Sequence, residues 1–171
     1  MRKMIVTILL VVLLMGTRQA RAVNVDFYTD DTITEGVYDV VRTHNDATVD
    51  MTGGLIETYL ELYDTSTFNA NGGALYDGVG IRLFDSTTIN FYKIETSANR
   101  IEAVGTAEIN IFGYGFNYVG DILNGYWEDN MSFSLYIRNE TTQSVINLHE
   151  VPEPTTCLLL GMGGILLRKR K

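Results

Sequence analysis

The chain carries few histidine and cysteine side chains, which are two common types of catalytic residue at neutral pH. Its 171 residues include two histidines, His44 and His149, and one cysteine, Cys157. His44 falls in a repeated row with aromatic residues, which favours a stacked role over a ligand role, and His149 adjoins the C-terminal tail. We therefore predict no histidine-based catalytic pair. A single cysteine also excludes a disulfide bond within the chain.

Carboxylates are the best candidates for catalysis. Asp64 and Asp85 occupy equivalent positions of a repeat, and paired acids can hydrolyse glycosidic bonds. Each of them precedes Ser or Thr in a turn-like string, however, where aspartate caps backbone amides. The regular spacing of a calcium loop is missing around Asp30-Asp31. We predict no catalytic residue, no metal site and no cofactor, and the enzyme alternative is a polysaccharide lyase or a glycoside hydrolase.

Charge is segregated along the chain. Of the 13 lysines and arginines, four lie within residues 2–21 and four within residues 168–171. Residues 23–150 hold 20 acidic and five basic residues, a net charge of −15. Because phosphate binding requires clustered positive charge, no nucleic-acid partner is expected.

Residues 1–22 have the pattern of a secretory signal peptide. Arg2 and Lys3 are followed by an apolar run over residues 4–15 and by the small-residue pattern Ala20-Arg21-Ala22. At ~1.5 Å per residue this run is too short to cross ~30 Å of hydrocarbon as a permanent anchor. We predict passage through the export machinery and cleavage by signal peptidase after Ala22.

The C-terminal residues 151–171 contain three elements in order. The first is Val151-Pro152-Glu153-Pro154, which the prolines keep extended because proline lacks an amide donor. The second is an uncharged membrane segment, about 16 Å long as a helix. The third is a basic cluster that stays on the cytoplasmic side. The membrane segment comprises Cys157, Leu158, Leu159, Leu160, Gly161, Met162, Gly163, Gly164, Ile165, Leu166 and Leu167, and the basic cluster comprises Arg168, Lys169, Arg170 and Lys171.

This order of elements resembles the PEP-CTERM sorting signal of exported bacterial proteins. The resemblance is confined to residues 151–171 and implies that Pro152, Glu153 and Pro154 are recognised by an exosortase, an integral-membrane transpeptidase-like enzyme. It implies transient anchoring in the membrane through the tail, followed by a location at the cell surface or outside the cell. Bacteria with such proteins make exopolysaccharide, which is a further expected partner. Because the upstream domains of the family are diverse, the tail implies a destination and not an activity.

The middle of the chain repeats with a period of about 20 residues, which is typical of a solenoid. An apolar residue followed by Asp or Asn recurs with spacings of 19, 21 and 20 residues. Two further columns keep the same step, and glycines recur after each repeat. The columns are Val49, Phe68, Ile89 and Ile109 with the following Asp50, Asn69, Asn90 and Asn110; then Val41, Leu60, Ile81 and Ile101; then His44, Tyr63, Phe84 and Val104.

We therefore predict an all-β fold, a short right-handed parallel β-helix or β-solenoid of about four ~20-residue coils over residues 23–113. The Asp50 to Asn110 column would form an amide ladder at a turn. Residues 114–150 would form an antiparallel β cap with a hairpin turn at Asn124-Gly125. The alternative is an antiparallel β-sandwich with a hairpin repeat. Residues 1–22 and 151–171 would be targeting segments with helical portions.

These patterns predict an exported surface or extracellular-matrix protein that is structural or adhesive and not an enzyme. The second hypothesis is a carbohydrate-binding module, in which exposed aromatic rings stack on sugars. Its candidate residues are Tyr114, Tyr118, Tyr126 and Trp127, in the segment that we also expect to form the cap.

Overall fold

A computed structural model describes residues 22–96 and 99–153. The predicted signal peptide before Ala22, the membrane segment and the basic cluster lie outside the described residues, so their predicted helices stay predictions.

The described chain forms a flattened β-solenoid with two sheets. The front sheet contains β1 (Val23–Phe27), β3 (Val37–Thr43), β5 (Leu55–Leu62), β8 (Gly80–Leu83) and β10 (Asn99–Ala103), with the short β7 (Ala74–Leu75) beside β5. The back sheet contains β2 (Asp31–Ile33), β4 (Thr48–Met51), β6 (Thr67–Ala70), β9 (Thr88–Phe91) and the first half of β11 (Glu108–Val119). Every neighbouring pair among these strands is parallel. The solenoid prediction of about four coils is confirmed, and the sandwich alternative is wrong.

The predicted columns superimpose residue on residue. Val49 pairs with Phe68, Phe68 with Ile89 and Ile89 with Ile109, and all four side chains are fully buried. Val41, Leu60, Ile81 and Ile101 form the facing column of the front sheet. The core therefore lies between the two sheets and is built from the alternating inward residues of each strand.

The two corners of each coil differ in backbone conformation. At one corner Asn45, Asp64 and Asp85 adopt left-handed φ angles of 57°, 63° and 56°, which asparagine and aspartate tolerate better than other side chains. At the other corner the chain passes so close to the preceding coil that a Cβ on Gly72 would lie 2.6 Å from the carbonyl oxygen of Thr52. Only glycine fits this approach.

The C-terminal segment extends both sheets. β11 crosses from the back sheet to the front sheet, where its second half joins β12 (Ile122–Tyr126) and β13 (Ser132–Ile137) in antiparallel pairs. β13 then pairs in parallel with β10. After the short helix α1 (Glu140–Ser144), β14 (Ile146–Glu150) pairs in parallel with β11 on the back sheet.

The predicted hairpin turn at Asn124-Gly125 is wrong, although the antiparallel strands are present. Both residues lie within β12, and the chain turns instead at Gly120 and between Trp127 and Met131. Gly125 pairs with Phe133, whose ring comes within 2.7 Å of the position that a Cβ on Gly125 would occupy. The glycine is therefore required by an aromatic ring on the next strand and not by a turn.

One buried hydroxyl in the core has no partner within the described part of the chain. Ser66 and Thr87 lie at equivalent positions inside the corner, and both are fully buried. The Ser66 hydroxyl lies 2.8 Å from that of Thr43 and donates to the Tyr63 carbonyl oxygen at 2.8 Å, whereas Thr87 Oγ1 makes no hydrogen bond.

We expect Thr87→Val to raise the free energy of unfolding by about 1 kcal/mol, because a methyl group replaces an unsatisfied buried hydroxyl. Chemical denaturation followed by circular dichroism measures this change. Ser66→Ala is the matched control and should lower the free energy of unfolding, because it removes a hydroxyl that is paired. Equal destabilisation by both substitutions would show that Thr87 is hydrogen-bonded in solution.

Candidate functional site

The sorting motif begins where the back sheet ends. The Val151 amide donates to the Gly113 carbonyl oxygen at 2.8 Å, which is one bond beyond the end of β14. Pro152 has no amide hydrogen to continue this pairing, and Pro152 and Glu153 are both exposed. Partial desolvation raises the pKa of Tyr114 above its ordinary value, and the negative charge of Glu153 adds to this rise. Pro154 lies outside the described residues.

The predicted signal cleavage site adjoins the first strand. Ala22 directly precedes β1, which begins at Val23 and pairs in parallel with β3. Ala20 lies outside the described residues. All the strands of the described structure therefore lie between Val23 and Glu150.

An amide ladder runs along the outer surface of the back sheet. Asn69 Nδ2 donates to Asp50 Oδ1 at 2.8 Å, and Asn90 donates to Asn69 and Asn110 to Asn90 in the same way, at 2.8 and 2.9 Å. Asn147 of β14 adds a fifth member. The ladder is confirmed, but it lies within the strands and not at a turn. Asp50 suits its end because a carboxylate only accepts hydrogen bonds.

Both histidines lie in stacks of rings. His44 lies between Tyr28 and Tyr63, with ring centroids 4.6 and 5.1 Å away, and Tyr63 in turn stacks on Phe84. His149 stacks on Phe112 at 4.4 Å. Val104 continues the His44 column in sequence and has no ring to extend the stack. The stacked role predicted for His44 is therefore confirmed.

The two repeat aspartates support the corners of the coils. The Asp64 carboxylate accepts a hydrogen bond from the Asn45 amide of the preceding coil at 2.8 Å. The backbone carbonyls of Asp64 and Asp85 accept from Ser86 and Thr106 of the following coils. Aspartate thus links one coil to the next, whereas the sequence predicted only a local backbone cap.

The arginines of residues 23–150 are concentrated on the outer surface of the front sheet. Arg42 and Arg82 contact the two oxygens of Glu61 at 2.9 and 3.1 Å, and Arg138 lies 2.6 Å from Glu102. The hydrogen bond to Glu61 is the main reason that the pKa of Arg42 is raised. Opposite charges thus alternate from coil to coil. The row was not predicted from the sequence, although its positions directly follow the Val41 to Ile101 column.

A neutral polar cavity lies on the outer surface of the cap. It has a volume of about 530 Å³, and no charged side chain of the described residues lines it. Asn117, Asn124 and Ser134 form one row across β11, β12 and β13, and Ser132 pairs with Tyr126 in the next row. We call this the cap cavity. Its asparagines and serines were not among the residues predicted from the sequence, although they occupy alternate positions along the strands.

The four candidate sugar-stacking aromatics do not form one surface. Trp127 is fully buried, donates from Nε1 to the Ile94 carbonyl oxygen at 2.8 Å and stacks on Phe133. Tyr126 is 45% exposed, lines the cap cavity and stacks on Tyr114 with centroids 5.5 Å apart. Tyr118 is partly exposed on β11.

Within residues 22–96 and 99–153, no group of three or more histidine, cysteine, aspartate or glutamate side chains is arranged to hold a metal ion. No helix of this same region is long and apolar enough to cross a bilayer. Comparison of the chain with protein-family models, with curated proteins and with solved structures found no match.

Proposed function

We propose that this chain is an exported, non-catalytic β-solenoid of the bacterial surface or extracellular matrix, sorted through a PEP-CTERM tail. The observation that carries the proposal is the position of the two processing sites relative to the strands. β1 begins directly after Ala22, and the last sheet hydrogen bond, at Val151, directly precedes Pro152. Removal of both terminal segments therefore cuts no strand.

The structural role is supported by the contacts of the acidic and histidine side chains in residues 23–150. Glu61 and Glu102 are paired with arginines, and His44 and His149 are stacked between or on rings. These groups hold coils together. The enzyme alternative, a polysaccharide lyase or glycoside hydrolase, would need carboxylates that converge on a substrate.

The charge distribution supports export with a defined orientation. Basic residues at both ends of the chain resist translocation, whereas the acidic body can cross. The tail would hold the protein in the membrane until an exosortase acts. Exposure of Pro152 and Glu153 next to the end of β14 would make the motif accessible to that enzyme.

We expect replacement of Pro152 and Pro154 by alanine to abolish processing of the tail in a host that has an exosortase. Intact-mass measurement of fractionated cells would show a product that is retained in the membrane and heavier than the wild-type product. Glu150→Ala is the matched control, because Glu150 is exposed and adjacent but lies within β14. Wild-type mass and location of the double variant, or an untrimmed wild-type chain in the cytoplasm, would reject the proposal.

A further inference from the structure

Four polar side chains that line the cap cavity make no hydrogen bond to any described residue, whereas Thr96, which also lines it, donates to Asn99. Asn69, Asn90 and Asn110 of the back sheet use their amides on one another. By contrast, Asn117 and Asn124 make no side-chain hydrogen bond to any described residue, although they face each other across β11 and β12. Ser132 and Ser134 are likewise without a protein partner within the described chain. Four neutral side chains that can each donate and accept hydrogen bonds are therefore available in one cavity.

An aromatic ring stands at the edge of this row of unpaired groups. Tyr126 is held in place because it stacks on Tyr114, whose hydroxyl donates to Asn130. Gly115, with φ at 63°, lets the ring lie against the backbone, since a Cβ at this position would come within 3.3 Å of Tyr126 Cδ2. A register shift between Tyr114 and Asn117 brings Asn117 opposite Asn124. The tyrosine ring and the backbone positions of the two asparagines are thus set by the fold before any ligand binds.

The described residues that line the cap cavity carry no charge, which favours an uncharged ligand. Residues 23–150 carry a net charge of −15, yet no charged side chain of the described residues lines the cap cavity. A cavity on the front sheet, in contrast, is lined by Glu57, Asp77 and Glu102 together with three arginines. Amides and hydroxyls can both donate and accept, so they match adjacent sugar hydroxyls. An exposed tyrosine ring suits the apolar face of a sugar, and a combination of an aromatic ring with a few polar groups is typical of ligand sites.

We infer that the cap cavity binds a neutral oligosaccharide, with Tyr126 as the stacking ring and Asn117, Asn124, Ser132 and Ser134 as hydrogen-bonding groups. This inference rests on the proposed location at the bacterial surface or in the extracellular matrix and specifies a ligand for the protein there. It assigns no function to Trp127, because that side chain is buried.

The test uses the full-length chain in a detergent without a sugar headgroup. Cellotetraose and maltotetraose are the neutral probes, and a tetrasaccharide of uronic acids is the charged comparison. Nuclear magnetic resonance follows the side-chain amide signals of Asn117 and Asn124, and isothermal titration calorimetry measures the affinity. A neutral probe should shift these two signals while the signals of the paired Asn69 and Asn90 stay unchanged.

Variants locate the site. Tyr126→Ala should weaken binding about tenfold, whereas Tyr126→Phe should retain it because the ring remains. Asn117→Ala and Asn124→Ala should each weaken binding about fivefold. Tyr28→Ala and Asn71→Ala are the matched controls, because both residues are exposed outside the cavity and should leave the affinity unchanged. Circular dichroism of each variant confirms that it is folded.

Several results would overturn the inference. These are failure of both neutral probes to shift the two amide signals, equal or tighter binding of the uronic acid tetrasaccharide at the same residues, and unchanged affinity of the folded Tyr126→Ala and Asn124→Ala variants. Export and tail processing are read from mass and location in cells. Loss of the sugar-binding inference is therefore distinguishable from loss of the proposed sorting.

Discussion

Trp127→Ala should lower the free energy of unfolding by about 3–5 kcal/mol, the range found when large aromatic side chains are removed from protein cores. The side chain is fully buried and its ring centroid lies 4.1 Å from that of Phe133. Its Nε1 donates to the carbonyl oxygen of Ile94, a residue that precedes β10 and is itself buried. The substitution therefore opens a cavity between the cap and the coils and leaves a buried carbonyl oxygen without its donor.

Chemical denaturation followed by circular dichroism measures this loss. Trp127→Phe is the matched control, because it retains an aromatic ring and removes mainly the hydrogen bond, at an expected cost of about 1–3 kcal/mol. Trp127 is the single tryptophan of the chain, so the fluorescence of the wild-type protein should report a buried indole that becomes exposed on unfolding. A loss below about 1 kcal/mol for the alanine variant would show that the cap does not depend on this side chain.

Phe68→Ala should also cost about 3–5 kcal/mol, in this case by disrupting the stacked coils. Phe68 is fully buried in the middle of the back sheet, with Val49 and Ile89 as its neighbours in the column. In a solenoid each coil contacts only adjacent coils, so a cavity in one coil weakens its interfaces with both neighbours. The surrounding side chains can collapse only in part, because the strand spacing is set by backbone hydrogen bonds.

Phe112→Ala provides a matched control for this second experiment. Phe112 lies on the outer surface of the same sheet, where it stacks between Tyr92 and His149 with centroids 4.5 and 4.4 Å away. Loss of these stacked contacts should cost about 1 kcal/mol. Equal destabilisation by Phe68→Ala and Phe112→Ala would contradict the placement of Phe68 in the core, and the same denaturation measurement decides between them.

Asparagine side chains have different surroundings in the ladder of the back sheet and in the cap cavity, which lies on strands that join the front sheet. Asn69 and Asn90 stabilise the coils because each amide has a partner one strand away. Asn117 and Asn124 lie across an antiparallel pair, where the described structure gives their side chains no such partner. Residue type alone therefore does not distinguish an asparagine that links coils from one whose amide has no partner in the described chain.

The spacing of residues along the chain was sufficient to predict the coils and their register. Equivalent residues superimpose only when each coil has nearly the same length, so the constant step of Val49, Phe68, Ile89 and Ile109 determines which side chains share a column. The stack of His44 with Tyr63 and the amide ladder follow from the same register. These features are local to one coil and its neighbour, which is why a periodic sequence carries them.

Only the tertiary structure decided the form of the C-terminal region. β11 continues across both sheets, and β13 returns beside β10. Gly125 lies within β12, where the ring of Phe133 occupies the space that a side chain at this position would need. No repeat exists there to indicate which strands are neighbours. The cap cavity is formed by residues from three strands whose pairing joins positions that are distant in sequence, so the chain order by itself could not bring Asn117, Asn124 and Ser134 together.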